Sequence, residues 1–340
     1  MSKLNQNPTM NDVAREAGVS VATVSRVINN TDGVSKKLQQ RVEMAMEKLN
    51  YHPSSLARSF KMQETRLIGL IIPLLNHPFF SLLAQVMEQE LFRQNYRAII
   101  CNTEENEERE LEYIELLLRQ RVDGVIINSA IPNTDYLFQL QSQNIPCVLI
   151  DRDVNGFECS KVFSDNSQGG YQGMKYLLEL GHRNIHIVAP FDNKQPMQNR
   201  LRGVRQALDE FGIEAHQDMF IMHSDHSFEM GIEAGQYIAE ISPLPTAVFA
   251  LTDVTAVGLL HGLAKAGIRV PDDISVMGYD GIPLSGYVMP TLSTIAQPII
   301  EMGKRAVEVL LNHINKPDLV PDRIVLSNEL IIRESTAELI

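Results

Sequence analysis

Five short polar or aromatic stretches in this 340-residue chain follow directly on apolar runs: Asn76-His77-Pro78-Phe79-Phe80, Asp151-Arg152, Asp192, Thr252-Asp253 and Tyr279-Asp280. Carboxylates, amides and guanidinium groups in such places can exchange hydrogen bonds with hydroxyls. An aromatic face beside them can cover the C–H side of a ring, which is the equipment of a polyol pocket. A second group, near the N-terminus, has different chemistry. Ser20, Thr23, Ser25 and Asn30 carry short polar groups that bond phosphate oxygens, and Arg26 can pair bidentately with guanine. Val21 and Ala22 are small and apolar, suited to thymine methyls. Catalytic signatures are missing from the sequence: there is no Gly-rich phosphate loop, no His-Glu-x-x-His and no Gly-x-Ser-x-Gly. The nine histidines are scattered without metal-ligand spacing, so neither a metal nor a cofactor is expected.

Each of these residues also has an ordinary use. A Phe-Phe pair can be core, Asp151-Arg152 a surface ion pair, Asp280 a turn residue before Gly281, and Asp253 a cap on the helix after it. Asp165 and Asn166 can be turn residues, and His182 reads as structural after a helix end. The convergence of several such residues at strand ends favours the binding role.

The elements that would position the N-terminal group begin at Thr9. Thr9 can cap a helix whose first turn holds Asp12, and Met10, Val13, Ala14 and Ala17 fall on one face. Gly18 ends it, because glycine enters left-handed backbone space cheaply. Ser20 caps a second helix, Val21 to Asn29. Two short helices joined by a Gly-containing turn fit a helix-turn-helix, in which the second helix lies in the major groove. Taken alone they also fit a helical hairpin with no DNA role. A third helix from Lys36 to Leu49 offers Leu38, Val42, Met46 and Leu49 to a three-helix core. Pro53 keeps His52 out of helical space, and Ser54 to Phe60 can form one helix too short to be stable alone.

Here the sequence resembles a known family. Asp12-Val13-Ala14-Arg15-Glu16-Ala17-Gly18-Val19-Ser20, followed by Thr23-Val24-Ser25-Arg26-Val27-Ile28-Asn29, is similar to the signature of the lactose-repressor (LacI/GalR) family, and so is Leu49-Asn50-Tyr51-His52-Pro53-Ser54-Ser55-Leu56-Ala57-Arg58-Ser59. The resemblance implies double-stranded operator DNA as a partner, met by Thr9, Ser20, Val21, Ala22, Thr23, Ser25, Arg26, Asn29 and Asn30. It also implies a homodimer whose hinge segments (Ser55, Leu56, Ala57, Arg58) pair on the operator, with Leu56 as a minor-groove wedge. The expected division is a head at 1–52, a hinge at 53–65 and a body at 66–340.

In the body, apolar runs alternate with amphipathic helices. Strands are expected at 67–73, 98–101, 124–127 and 147–150, then at 185–188, 219–222, 247–250 and 274–277. Apolar on both faces and separated by helices, they imply parallel, doubly wound sheets. The expected fold class is therefore α/β: a three-helix helix-turn-helix head on a two-lobed body like the periplasmic sugar-binding proteins. Lobe 1 would span about 66–163 and 296–325, and lobe 2 about 164–292 and 326–340. Ligands in such sheets bind beyond the carboxyl ends of strands. Ser164-Asp165-Asn166 with Gly169-Gly170, and Leu292-Ser293-Thr294-Ile295 with Gln297-Pro298, are further family landmarks.

The pocket resembles that of ribose repressors and the ribose-binding protein. The resemblance assigns Asn76, His77 and Phe79 or Phe80 to the first-strand loop, Asp151 and Arg152 to a hydroxyl-binding pair, and Arg200, Asp280 and Gln297 to further ligand groups. His77, His226 and Thr252 depart from the ribose pattern, which has asparagine, phenylalanine and asparagine there. Sucrose repressors also resemble the stretch Glu90 to Asn102. A small sugar effector is expected, with ribose ahead of sucrose and others. A catabolite-control type of regulator with a protein corepressor is the alternative.

Charge and composition fit this division. The net charge is -12, but residues 1–62 hold nine Lys/Arg against five Asp/Glu, while the rest hold 21 against 37. A basic head on an acidic body suits a protein that touches phosphate through the head alone. No apolar run approaches the ~20 residues that span a bilayer. The polar stretch Met1 to Asn11 does not read as an export signal. Cys101, Cys147 and Cys159 lack Cys-x-x-Cys spacing, so the expected location is cytoplasmic (nucleoid-associated), with no membrane contact.

Overall fold

In a computed structural model of the chain, residues 8–28, 34–51, 64–129, 134–154, 156–191, 194–223 and 227–339 are described. They fall into two compact units, 1–65 and 66–340. Among the described residues the head has three helices: α1 (Met10–Ala17), α2 (Val21–Ile28) and α3 (Lys36–Lys48). Thr9 closes a reciprocal capping box on α1: its hydroxyl accepts from Asp12 N, and the Asp12 carboxylate accepts from Thr9 N at 2.9 Å. Gly18 takes φ 62°, and its N–H satisfies the carbonyls at the end of α1. Ser20 Oγ accepts from Thr23 N at 3.2 Å to start α2. Val13, Ala14, Ala17, Val24, Val27, Val42 and Ala45 form the core, with Met46 and Leu49 at its edge. Leu38, expected in that core, is only half-buried; Ala45 packs there instead.

The body carries two six-stranded sheets. The first contains β1 (Leu67–Ile72), β2 (Arg97–Asn102), β3 (Gly124–Ile127), β4 (Cys147–Ile150), β5 (Ser160–Ser164) and β11 (Arg323–Leu326), in the order β11-β5-β4-β3-β1-β2. The second contains β6 (Ile185–Pro190), β7 (Phe220–His223), β8 (Ala247–Ala250), β9 (Ser275–Asp280), β10 (Ser293–Ala296) and β12 (Glu329–Ile331), in the order β12-β10-β9-β8-β6-β7. All pairings are parallel except β10 with β12. Four strands escaped the sequence reading. β5 carries a lysine and two serines, β10 begins Ser-Thr, and β11 and β12 are short edge strands with little buried surface. Their pairing is set by neighbours far away in sequence, which local pattern does not report.

Helices cover both faces of each sheet. In lobe 1, α4 (Pro78–Arg93) and α11 (Ile299–Asn315) bury Leu83, Met87, Met302 and Val307 on one face, while α5 (Glu107–Gln120) and α6 (Asp135–Ser142) bury Ile114, Leu117 and Tyr136 on the other. In lobe 2, α7 (Asn166–Glu179) and α8 (Gln195–Glu210) cover one face, and α9 (Phe228–Ala239) and α10 (Asp253–Lys265) the other. The pair α7 and α8 touch backbone to backbone at Gly170 and Gly203. A Cβ on Gly170 would lie 2.1 Å from the Arg200 carbonyl oxygen, so only glycine permits this approach.

The chain crosses between the lobes at Asp165, Gln297 and Asn328. Ser164 Oγ donates to Asn328 Oδ1 at 2.7 Å, and Asn328 Nδ2 donates to the Asp165 carbonyl and Tyr279 Oη, both at 2.9 Å. Two crossings are thereby tied together.

Candidate functional site

In the head, the two faces of α2 separate by burial. Val24 and Val27 are in the core, whereas Val21, Ala22 and Arg26 are exposed and Thr23 and Ser25 half-buried. The exposed set has the composition of a base-reading face. Thr9 and Ser20 are exposed beside it and bound up in helix caps. Arg41 Nη2 donates to the Ala17 carbonyl at 2.6 Å, fixing the turn that sets the angle between α1 and α2. Asn29, Asn30, Ser55, Leu56, Ala57 and Arg58 lie outside the described residues, as do Asp192 and His226 in the body.

In the body, the carboxyl ends of the two sheets enclose a cavity of ≈ 90 Å³. That is well above the ~10–15 Å³ a cavity needs to hold one water, so it has room for a small polar ligand. Lobe 1 contributes His77, Phe79, Phe80 and Asp151; lobe 2 contributes Arg200, Thr252 and Asp280. The rings of Phe79 and Phe80 meet edge to face at 5.1 Å, and His77 tilts against Phe80 at 5.2 Å. Phe79 is buried in the lobe 1 core as well as lining the cavity, while Phe80 is half-buried.

Arg200 is held from every side. Its Nε donates to Asn166 Oδ1 at 2.9 Å and its Nη1 to the Leu251 carbonyl at 2.6 Å. Its Nη2 pairs with Asp280 Oδ1 at 3.2 Å, and the guanidinium lies 3.8 Å over the centre of the Tyr279 ring. Asp280 has φ 122°, a backbone conformation costly to any non-glycine residue, held by what surrounds it. Its Oδ1 also accepts from Gln297 Nε2 at 2.8 Å, while its Oδ2 is buried with no partner among the described residues. Asn128 Nδ2, beside the cavity, is likewise buried and without a partner among the described residues. Unsatisfied buried polar atoms are costly, and at a cavity wall they point to a ligand that completes them.

Asp151 turns out of β4 with φ 50° and accepts from Ser164 N at 2.9 Å. Complete burial outweighs the nearby Arg200 charge and pushes its carboxyl up to about 6. Asp253, behind the cavity, is raised well above the usual carboxylate range by burial and by Asp280. It accepts from Thr294 Oγ1 at 2.6 Å and from Ile282 N at 2.9 Å, so it pins the loop after Asp280. The helix cap is Thr252, whose Oγ1 accepts from Thr255 N at 3.2 Å; the cap role anticipated for Asp253 belongs one residue earlier.

Three anticipated ligand residues are not at the cavity wall. Asn76 is exposed, because the turn closed by His77 N to the Leu74 carbonyl points it outward. Arg152 is buried, so it is not a surface ion pair; its Nη1 donates to Tyr136 Oη at 2.8 Å, and it is not among the residues lining the cavity. Gln297 sits behind Asp280 and orients it. His182 is structural, bonding Thr246 Oγ1 and the Ala337 carbonyl, each at 3.0 Å. Conversely, Pro73, Asn128 and Ser129 line the cavity without having been singled out, although each follows a strand end and the same positional rule reaches them. At the mouth, Lys194 of lobe 2 pairs with Glu105 of lobe 1, and Gln195 Oε1 accepts from Asp153 N at 2.9 Å. No sequence signal links residues that far apart. Among the described residues, no cluster of three or more His, Cys, Asp or Glu is placed to hold a metal ion, and no helix is long and apolar enough to cross a membrane.

A helix-turn-helix head on a two-lobed body that encloses a polar and aromatic cavity defines a class: DNA-binding regulators with a ligand-binding domain of the periplasmic-binding-protein kind. Residues 9–54 match the model of bacterial regulatory proteins of the lacI family, and residues 174–336 that of the periplasmic binding protein-like domain. The HTH-type transcriptional repressor PurR of Photobacterium profundum is 36% identical over 97% of this chain and 99% of that protein. The ribose operon repressor of Haemophilus influenzae is 38% identical over 96% of this chain and 98% of that one. Among solved structures, a LacI-family regulator of Enterococcus faecium with bound ribose matches with a TM-score of 0.74 and 34% identity, covering 81% of this chain and all of that one. The lac repressor dimer bound to operator and the anti-inducer ONPF matches with a TM-score of 0.87 and 27% identity, covering 98% of this chain and all of that one. The chain belongs to the lacI family of bacterial regulatory proteins. It is a transcriptional repressor with a ligand-binding body, and not an enzyme.

Proposed function

We propose that this repressor governs a sugar-utilisation operon and is released from its operator by a small neutral sugar, ribose ahead of others. The observation that carries this is the cavity wall. The carboxylates of Asp151 and Asp280 and the guanidinium of Arg200 face a small cavity lined on one side by Phe80 and His77. Neighbouring hydroxyls, each a donor and an acceptor, fit that alternation of charge. The ribose operon repressor and the ribose-bound regulator support the choice of sugar. His77, His226 and Thr252 are the positions at which another sugar would be selected. A planar heterocycle is the second chemistry the wall admits, since a ring face can stack on Phe80.

In this reading the head occupies 1–52, the hinge 53–65 and the body 66–340. Two chains place their heads on a pseudo-palindromic operator in the cytoplasm; the structurally similar lac repressor is a dimer bound to operator. Phosphate contacts supply affinity, and Arg26 and Leu56 supply part of the specificity. Sugar closes the cleft and lowers operator affinity, and the operator then weakens sugar binding by the same factor.

The test is a thermal-melt screen of the full chain against ribose, sucrose, other sugars, sugar phosphates and nucleobases, followed by operator binding with and without the hit. A ligand that binds only the folded state raises its stability with saturation. A shift with ribose that is matched by operator release supports the reading. A shift with a nucleobase alone replaces the ligand, and no shift at all redirects the search to a protein corepressor.

A further inference from the structure

Cys147 opens β4 and Cys159 immediately precedes β5. These strands pair in parallel with Val148 opposite Ser160 and Leu149 opposite Lys161, so stepping back one residue sets Cys147 directly across from Cys159. Each sulfur is the largest influence on the acidity of the other. Both are free thiols, and both line one recess of ≈ 230 Å³ on lobe 1, walled by Pro146, Phe157, His313 and Leu319. Adjacent strands run ~4.8 Å apart, inside the ~4.4–6.8 Å range of Cα separations that a disulfide spans. The two sulfurs differ in character. The neighbouring Cys147 and the charge of Lys161 lower the Cys159 thiol, whereas Cys147 is raised by Cys159 and by burial. Lys161 is itself held by Asp153 at 2.5 Å, and Glu158 and His313 are the other ionisable groups at the recess. Cys159 is also the more exposed of the two. The third cysteine, Cys101, is fully buried on β2, and burial pushes its thiol up to about 11.

We propose that Cys147 and Cys159 form a reversible redox site that takes hydroperoxides. The Cys159 thiolate attacks one oxygen of the peroxide, the O–O bond breaks, and a sulfenic acid and an alcohol or water leave this step. The Cys147 sulfur then attacks the sulfenic sulfur, the S–O bond breaks, water departs and the disulfide forms. In total, two thiols and one hydroperoxide give one disulfide, one water and one alcohol (a second water when the oxidant is hydrogen peroxide). A thiol restores the pair by exchange. A low thiol next to its own resolving partner is the arrangement that converts peroxide into a disulfide instead of an overoxidised acid. The bond would join the starts of the two strands whose far ends carry Asp151 and Ser164, themselves hydrogen-bonded at 2.9 Å.

The experiment treats the native full chain with hydrogen peroxide at neutral pH, quenches it, counts thiols after denaturation and maps the peptides. The expected result is a fall from three free thiols to one, a chain mass lower by two hydrogens, and a peptide joining Cys147 to Cys159, all reversed by dithiothreitol. Cys159→Ser should keep its remaining two thiols under the same dose, and Cys147→Ser should show a trappable sulfenic acid at Cys159. The proposal is overturned by an unchanged thiol count, by sulfinic acid at Cys159 with Cys147 still free, or by a disulfide between two chains. The wild-type peptide map decides the matter even if a serine variant folds poorly.

Discussion

The two walls of the cavity are built on different principles. Lobe 2 presents a rigid polar wall: Arg200 is bonded to Asn166, Leu251 and Asp280 and stacked on Tyr279, and Asp280 is held at φ 122° with Gln297 and Asp253 behind it. Lobe 1 presents an aromatic wall with one buried carboxylate, Asp151, whose charge is poorly compensated. The rigid side is ordered before any ligand arrives, so it costs little to use, whereas the other side gains most when a ligand and lobe closure complete it. The difference predicts which substitutions damage the fold, which shift pH dependence and which change only kinetics.

The largest effect is expected at the rigid wall. Arg200→Ala strips the partner from buried Asp280 and Asn166, and should lower unfolding free energy by ~3–5 kcal/mol as well as removing the sugar-induced melting shift. Urea unfolding with and without sugar measures both. A variant that binds sugar normally would show that the lobe 2 wall is scaffold only.

Asp151 should reveal itself through pH. Its folded-state carboxyl is raised from 3.8 to about 6, so the stability it contributes is complete below pH 4 and is lost as pH rises through 6. At ~1.4 kcal/mol for each pH unit between the two values, wild type should lose about 3 kcal/mol across that window relative to Asp151→Asn. A ligand hydroxyl donating to the carboxylate favours the ionised form, so sugar affinity should rise as pH increases toward about 6 in wild type and stay flat in Asp151→Asn. Parallel stability curves for the two proteins would mean that Asp151 is already well solvated in the empty cleft.

A smaller change is expected for Asp280→Asn. It keeps the shape but loses a charged acceptor, weakening sugar by ~1.5–3 kcal/mol, which calorimetry resolves. Should the loss be matched by Gln297→Ala, the orienting role of Gln297 is as important as the carboxylate itself. The smallest effect belongs to the mouth. Lys194 and Glu105 are about a quarter and a third exposed, so their cross-lobe pair is worth only ~0.2–1 kcal/mol. Lys194→Met should speed sugar dissociation a few-fold at low salt and not at high salt, read by stopped-flow displacement. An unchanged rate at low salt would leave the pair without a part in closure.

Legibility followed the distance over which residues cooperate. In the head, Thr9, Gly18 and Ser20 act on backbone within a few positions of themselves, and the spacing of Val13, Ala14, Ala17, Val24 and Val27 marks a buried face, so the three helices and their outward residues were readable. The same holds for β1, β3, β4 and β8, whose apolar runs need no partner to be recognised. At the cavity, the strand-end rule located His77, Asp151, Thr252 and Asp280, but it could not say which way a side chain points. Asn76 and Arg152 follow strands β1 and β4 and still do not line the cavity: a turn directs one outward, and the Tyr136 hydroxyl holds the other.

The sequence by itself determined the helix-turn-helix, the alternation of strands and helices, the family and the types of residue gathered at strand ends, because each is written in local spacing, capping and composition. Only the tertiary structure decided that Gln297 orients Asp280, that Asp253 pins its loop, that Lys194 meets Glu105, and that Cys147 lies across from Cys159. Those pairings join residues from 12 to 89 positions apart, and their free energy depends on burial and direction, which exist only once the sheets have assembled.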